Sequence, residues 1–431
     1  MSIAVKKLDP CSIDSELADI KKPELEIVGP YGPAMRKNFL LNDRYLILNN
    51  GSFGTCPKYV IDYAEYYARC SEYNVDRWME LTLRPLIYNS LERIAHYLGV
   101  KDSLQLTYLF NTTSGLNTVL RGLTFEEGDI IFKYSTSYNA CSNVIKYICE
   151  TTKAEFVDIQ INFPITDEEI VKATRDAIDK VKQDSSKRIR FALIDAVISV
   201  PGIVLPYAQL TAEFKKEGAL TFIDAAHALG MIEINIDQTG CDYFVTNAYK
   251  WFYTKRGCAV FYVANHLKTS TQPLVISHSY KKDCDFNESF LWQGTVDFST
   301  FLSTNAAIDF VEAIGGLNAV LSYCHSLAEQ ATDLLASKYN FVPLTNEKSQ
   351  IASFVNMKIP QLEFGNPKHD KVGYAVDRIL LAQHNTSGKL YPHNGHWYVR
   401  LSAQIFLTLD DFDKYAKLLV KIINQELEKS A

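Results

Sequence analysis

Between residues 106 and 224 short apolar runs alternate with longer stretches of helical period, and this alternation leaves few folds open. Runs at 106–110, 129–133, 155–159, 190–195 and 220–224 have strand length and are rich in β-branched and aromatic residues. The stretches 137–149, 167–182 and 207–217 read as helices, and so does the segment after 111. There Leu116, Val119, Leu120 and Leu123 fall on one helix face. Strand and helix in this order predict an α/β fold with a mainly parallel sheet wrapped by helices. Ligands of such sheets bind at the carboxyl ends of the strands. Asp195 and Asp224 stand at two of those ends, each closing an apolar run.

Residues 241–263, CDYFVTNAYKWFYTKRGCAVFYV, follow the alternation. Two strand-like runs, 243–245 and 258–263, flank a short polar turn that carries Lys250. Aromatic neighbours make an ammonium costly, so the pKa of Lys250 should fall and its amine become nucleophilic. A lysine snorkelling from a strand end is the more economical reading of this stretch alone. Asp224 lies 26 residues earlier, which brings a carboxylate into consideration. A pyridine cofactor needs both groups, a carboxylate at its ring nitrogen and a lysine at its aldehyde. Residues 111–115, NTTSG, join a strand to a helix through a hydroxyl-rich turn. Such a turn aims N–H groups and hydroxyls at a phosphate, and an N-cap at Thr113 or Ser114 accounts for it equally well.

Composition narrows the class without choosing the chemistry. The 431 residues are 47% hydrophobic and 22% charged, enough for a buried core and more than one domain. A net charge of −6 without basic runs gives no reason to expect nucleic acid or a membrane surface. No apolar stretch has the length of a transmembrane helix, and the first 26 residues do not read as a secretory signal. The nine cysteines show no CxxC spacing and read as reduced thiols of a cytoplasmic protein. Three parts are expected: an N-terminal arm at 1–40, a large domain at 41–300 and a smaller α+β domain at 301–431. The last should hold a long helix at 305–339, a strand at 351–357 and a helix at 369–381. A hairpin turning at Asn394-Gly395 and a helix at 409–427 should complete it. In that hairpin Tyr398, Arg400 and Ser402 share the polar strand face. An arginine there is a surface ion pair or a bidentate carboxylate site.

Five motifs in one order carry a resemblance: NNGSFG (49–54), NTTSGLNTVLRGL (111–123), DAAHALG (224–230), NAYKWF (247–252) and VRLSAQIF (399–406). Over roughly residues 48–405 the chain resembles fold-type-I pyridoxal-phosphate enzymes of the class V aminotransferase family. Within it, the likeness is to the branch of isopenicillin N epimerase and the hercynylcysteine sulfoxide lyase of ergothioneine synthesis. By that resemblance Lys250 is the Schiff-base lysine and Asp224 the partner of the pyridinium nitrogen. Thr113 and Ser114 fall where the phosphate is held, with Asn247 and Tyr249 in the same cofactor-binding set. Tyr138 falls where a ring stacks on the cofactor, and is also a candidate proton donor. Ser199 and His227 fall near the cofactor's phenolic oxygen, and Arg400 grips the substrate carboxylate. Thr295 resembles a loop that reaches a neighbouring subunit's phosphate, which implies a homodimer.

Departures from the family pattern are as informative. Tyr249 replaces a histidine before the lysine, Ala196 follows Asp195 where relatives often have histidine, and Val296 replaces a cation in the GTRD loop. No cysteine follows Cys324, so the persulfide relay of cysteine desulfurases is not expected. His393 and His396 flank a hairpin turn and lack a third ligand, so no metal is expected. The implied activity is lysis of a C–S bond in a small amino acid. Epimerase and cysteine desulfhydrase activity are the alternatives within the class, and a non-catalytic binding protein is the alternative outside it.

Overall fold

The computed structural model describes residues 20–280 and 286–429. The first 19 residues of the expected arm, and with them most of the stretch considered as a signal, lie outside that range. The apolar runs form a seven-stranded sheet: β1 Leu106–Leu109, β2 Asp129–Tyr134, β3 Glu155–Ile159, β4 Arg188–Asp195, β5 Leu220–Asp224, β6 Tyr243–Thr246 and β7 Ala259–Val263. The spatial order is β1-β7-β6-β5-β4-β2-β3. The pairs from β3 to β6 are parallel, while β7 runs antiparallel to both β6 and β1. β7 reverses because only a short loop and a helical turn, Ala248–Trp251, separate it from β6. Parallel strands need a longer crossover.

Alternate side chains of β2 enter opposite layers. Ile131 joins Leu116, Val119, Ile145 and Ile148 on one face, whereas Ile130 and Phe132 join Ile170, Ile178 and Phe214 on the other. Each such buried apolar side chain contributes about 1.5–3 kcal/mol. Helices covering both faces leave only the strand ends for a ligand. Asp195 and Asp224 are in register at the ends of β4 and β5. The helix starts after β1 and β2, and the Lys250 turn after β6, emerge on the same side.

A second sheet comprises β8 Val342–Pro343, β9 Phe354–Glu363, β10 Lys389–His393 and β11 His396–Ser402, ordered β10-β11-β9-β8. Its hairpin turns at Asn394 and Gly395, both at positive φ as an Asn-Gly turn requires. The helix expected at 305–339 is instead two, Ser299–Ala313 and Leu317–Tyr339, bent by 71°. Gly315 and Gly316 between them adopt φ +111 and +84. Leu46–Ile47 pairs in parallel with Thr386–Ser387, tying the N-terminal side of the chain to its C-terminal side. The described part of the arm lies on the body: Gly32 N–H donates to Ile405 O (2.7 Å) and Tyr31 to Ile314 O (2.8 Å). Among the described residues no single helix is long and apolar enough to cross a membrane.

Candidate active site

A cavity of about 340 Å³ opens at the carboxyl ends of the central strands. Thr113, Tyr138, Ser199, Asp224, His227, Asn247, Tyr249 and Lys250 all line it, although they come from five separate segments. Arg400 stands immediately behind it. Ser114 and Thr295 do not line it. The Ser114 hydroxyl is taken up in a capping box: Asn111 Oδ1 accepts from Ser114 N (2.9 Å), and Ser114 Oγ accepts from Asn111 N (3.2 Å). Asn111, not Thr113 or Ser114, is therefore the N-cap. Thr295 is exposed on a loop outside its own chain's cavity.

The loop carrying NNGSFG is fastened on both sides. Ser402 N–H donates to Leu48 O (2.7 Å), and Gly51 N–H to Ser402 Oγ (3.1 Å). Asn50 Nδ2 donates to the Lys250 carbonyl (3.1 Å). Gly54 has φ +69, and a Cβ there would lie 1.8 Å from the Tyr249 carbonyl oxygen. Only glycine permits this approach. The loop thus links the strand of Arg400 to the turn of Lys250.

Burial dominates the electrostatics. It lowers the Lys250 ammonium to about 8; Asp224 opposes this shift and Arg400 reinforces it. Lys250 Nζ lies 3.0 Å from His227 Nε2, and Trp251 Nε1 donates to His227 Nδ1 at 3.2 Å. Burial, then the charges of Lys250 and Arg400, hold His227 well below the usual imidazole range, so it is neutral. Asp224 is raised by burial, with Ala226 N–H (3.0 Å) and the Cys141 thiol (3.3 Å) donating to it. Asp195 accepts from Ser137 Oγ (2.9 Å) and is raised strongly, by burial and then by the Asp224 charge. Burial pushes the Tyr249 phenol up to about 12, so it remains a neutral donor.

Arg400 is 1% exposed, with its guanidinium 4.4 Å over the ring of Phe354. It donates to Ser199 O, to Asn49 Oδ1 (3.0 Å) and to Ser52 Oγ (2.8 Å), while its Nε is buried without a partner. Thr112 N–H and its hydroxyl donate to Asn247 Oδ1 (3.0 and 3.2 Å), clamping the helix start onto the Lys250 turn. The donor set fits pyridoxal phosphate. Asp224, held by a main-chain N–H and a weak thiol donor, suits a ring N–H⁺. A helix N-terminus suits the phosphate, and the orphaned Arg400 Nε suits a substrate carboxylate.

Other residues also shape the cavity. Cys141 is buried and donates its thiol to Asp224. Ser52, Phe53, Phe110 and Arg256 line the cavity, with Arg256 Nη1 donating to Gly54 O (3.4 Å). The NNGSFG motif was the available signal for Ser52. Nothing in sequence marked Phe354, which reaches His227 and Trp251 from the second sheet. His393 Nε2 accepts from Phe163 N–H (2.9 Å).

The aminotransferase class-V family profile matches residues 49–372. An L-cysteine desulfhydrase-like protein of Epichloe uncinata is 26% identical, covering 92% of this chain and 97% of that protein. The hercynylcysteine sulfoxide lyase of Schizosaccharomyces pombe is 24% identical, covering 90% and 97%. Among solved structures, a cysteine desulfurase from Thermococcus onnurineus superposes with a TM-score of 0.74 at 18% identity, covering 93% and 100%.

Proposed function

The chain belongs to the class-V aminotransferase family, and from that premise we propose a pyridoxal-phosphate-dependent C–S lyase that acts on a small sulfur-bearing amino acid. The products are the released sulfur group, pyruvate and ammonia. The observation that carries this reading is a lysine amine lowered to about 8, facing a neutral imidazole in a cavity that Asp224 also lines. The names of the relatives favour cleavage at a cysteine sulfur. In this reading the cofactor sits in the 41–300 unit and the carboxylate site comes from the 301–431 unit.

Lys250 would hold the cofactor aldehyde and Asp224 the proton on its ring nitrogen. Tyr138 would cover the ring, His227 and Ser199 would face the phenolic oxygen, and Thr113, Asn247 and Tyr249 would hold the phosphate. Ser114 contributes by closing the capping box on Asn111 at that helix start. When bound, the cofactor supplies an electron sink for the pair left at Cα. Arg400 orients the substrate through its carboxylate. Lys250 Nζ, once free and neutral, takes the Cα proton as general base. The Tyr138 hydroxyl, at a half-exposed position on the cavity wall, gives a proton to the departing sulfur. With no cysteine beyond Cys324, a persulfide relay has no carrier in the expected place.

The test is incubation of the loaded enzyme with L-cysteine, S-substituted cysteines and cysteine sulfoxides, assaying pyruvate and the released sulfur compound together. Equimolar pyruvate and sulfur product is expected. Racemised amino acid without pyruvate would move the assignment to an epimerase. Absence of a visible cofactor band in the wild type would remove the enzyme reading altogether.

A further inference from the structure

We infer that Trp251 fixes the proton of His227 on Nε2, making the imidazole a hydrogen-bond donor to Lys250 and holding the lysine amine as its neutral acceptor. This rests on the reading of Lys250 as the cofactor-holding amine. An indole N–H only donates. With Trp251 Nε1 3.2 Å from His227 Nδ1, that nitrogen must present its lone pair. The proton of the neutral ring then sits on Nε2, 3.0 Å from Lys250 Nζ. An ammonium has three donors and no acceptor, so a charged lysine would meet N–H against N–H. An imidazolium would create the same conflict at Nδ1. Among the protonation states of this trio, neutral imidazole with neutral amine satisfies both contacts.

Trp251 is well placed to impose this. It is 1% exposed and does not line the cavity, so it acts through His227 as a positioning residue. Phe354 meets its ring edge-to-face at 5.2 Å and stands 5.3 Å from the imidazole, bracing both. A Cβ on Gly51 would come within 2.8 Å of its Cζ2. The other groups around Lys250 pull in both directions. Asp224 and Cys141 favour the ammonium, Arg400 opposes it, and Asp195, Tyr138 and Tyr249 share the cavity wall. The indole-to-imidazole contact adds to the opposing side without placing a second charge in the pocket.

The decisive measurement is nitrogen NMR on full-length chain labelled in its histidines, with and without pyridoxal phosphate. His227 is identified by the signal lost in His227→Gln. The wild type should show an Nε2–H tautomer alone, and Trp251→Phe should admit the Nδ1–H form. An Nδ1–H wild type overturns the proposal, and that result does not depend on how any variant folds. The second measurement is the pH dependence of pyridoxal phosphate capture by the cofactor-free chain. Only the neutral amine attacks an aldehyde. Its midpoint should rise by about one pH unit in Trp251→Phe, the scale of one lost hydrogen bond. An unmoved midpoint in a folded variant refutes the inference. Capture that is unchanged in Lys250→Ala would instead refute the cofactor-lysine reading.

Discussion

Asp195 and Asp224 stand side by side in register on adjacent strands, both buried, and burial raises both carboxyls. Because the Asp224 charge also raises Asp195, the two do not ionise independently, and the pair carries at most one charge easily. The sign of the pH effect follows. The folded pair binds protons more tightly than the unfolded chain, whose carboxyls titrate near about 4. Stability of the cofactor-free protein therefore falls as pH rises above that value, by up to ~1.4 kcal/mol per pH unit for each raised group. Asp195→Asn keeps an oxygen for the Ser137 hydroxyl but removes the titration. Denaturant midpoints from pH 4 to 7 should show a flatter slope in the variant; an equally steep slope would assign the pH dependence elsewhere. Arg400 poses a different question, because its described hydrogen bonds also hold Ser52, Asn49 and Ser199 in place. Arg400→Lys retains the charge and loses the planar fork. KM for the amino acid should rise at least about tenfold, from a charge-assisted bond of ~1.5–3 kcal/mol. A fall in melting temperature with KM unchanged would make Arg400 a structural brace.

Helix Thr112–Gly122 shows how an element delivers residues to the cavity. Asn111 closes the capping box and Asn247 accepts from Thr112, so two otherwise open donors at the helix start are satisfied before any ligand arrives. Asn111→Ala should cost about 1 kcal/mol of stability. Titration followed by absorbance should also show several-fold weaker pyridoxal phosphate binding, because Thr113 loses its anchorage. If stability falls but cofactor affinity holds, the helix start does not serve the phosphate. The strand–turn–helix at this point was legible from hydrophobic spacing. Its cap was not, because Asn, Thr and Ser all suit an N-cap and only the backbone at Asn111 decides among them. The same limit merged the two helices on either side of Gly315-Gly316. Apolar periodicity continues across the break, and two positive-φ glycines turn the axis without interrupting the pattern.

At the scale of the molecule, the sheet was readable because its strands are sequential and local. The carboxylate end of the site was readable only in part, since Arg400 arrives by long-range pairing of β11 with β9 and of residues 46–47 with 386–387. At this scale the remaining candidate is Thr295. It lies on an exposed loop beside Val296 (43% exposed), near an apolar cavity of about 260 Å³ that Phe110, Leu274, Val275 and Val296 line. Phe110 and Val275 are 55% and 53% exposed. We propose that this apolar surface meets a second copy of the chain, since exposed patches of this kind mark interaction sites. Sedimentation should find two copies, and Val275→Glu with Val296→Glu should yield one copy with weaker cofactor binding. Complementation separates Thr295 from the interface in general. Lys250→Ala supplies an intact Thr295 without a working lysine, and Thr295→Ala supplies the lysine without the threonine. If Thr295 reaches across, a mixed dimer holds one complete site, and mixing two weakly active proteins restores turnover. If Thr295 serves its own chain, neither site of the mixed dimer is complete and no activity returns.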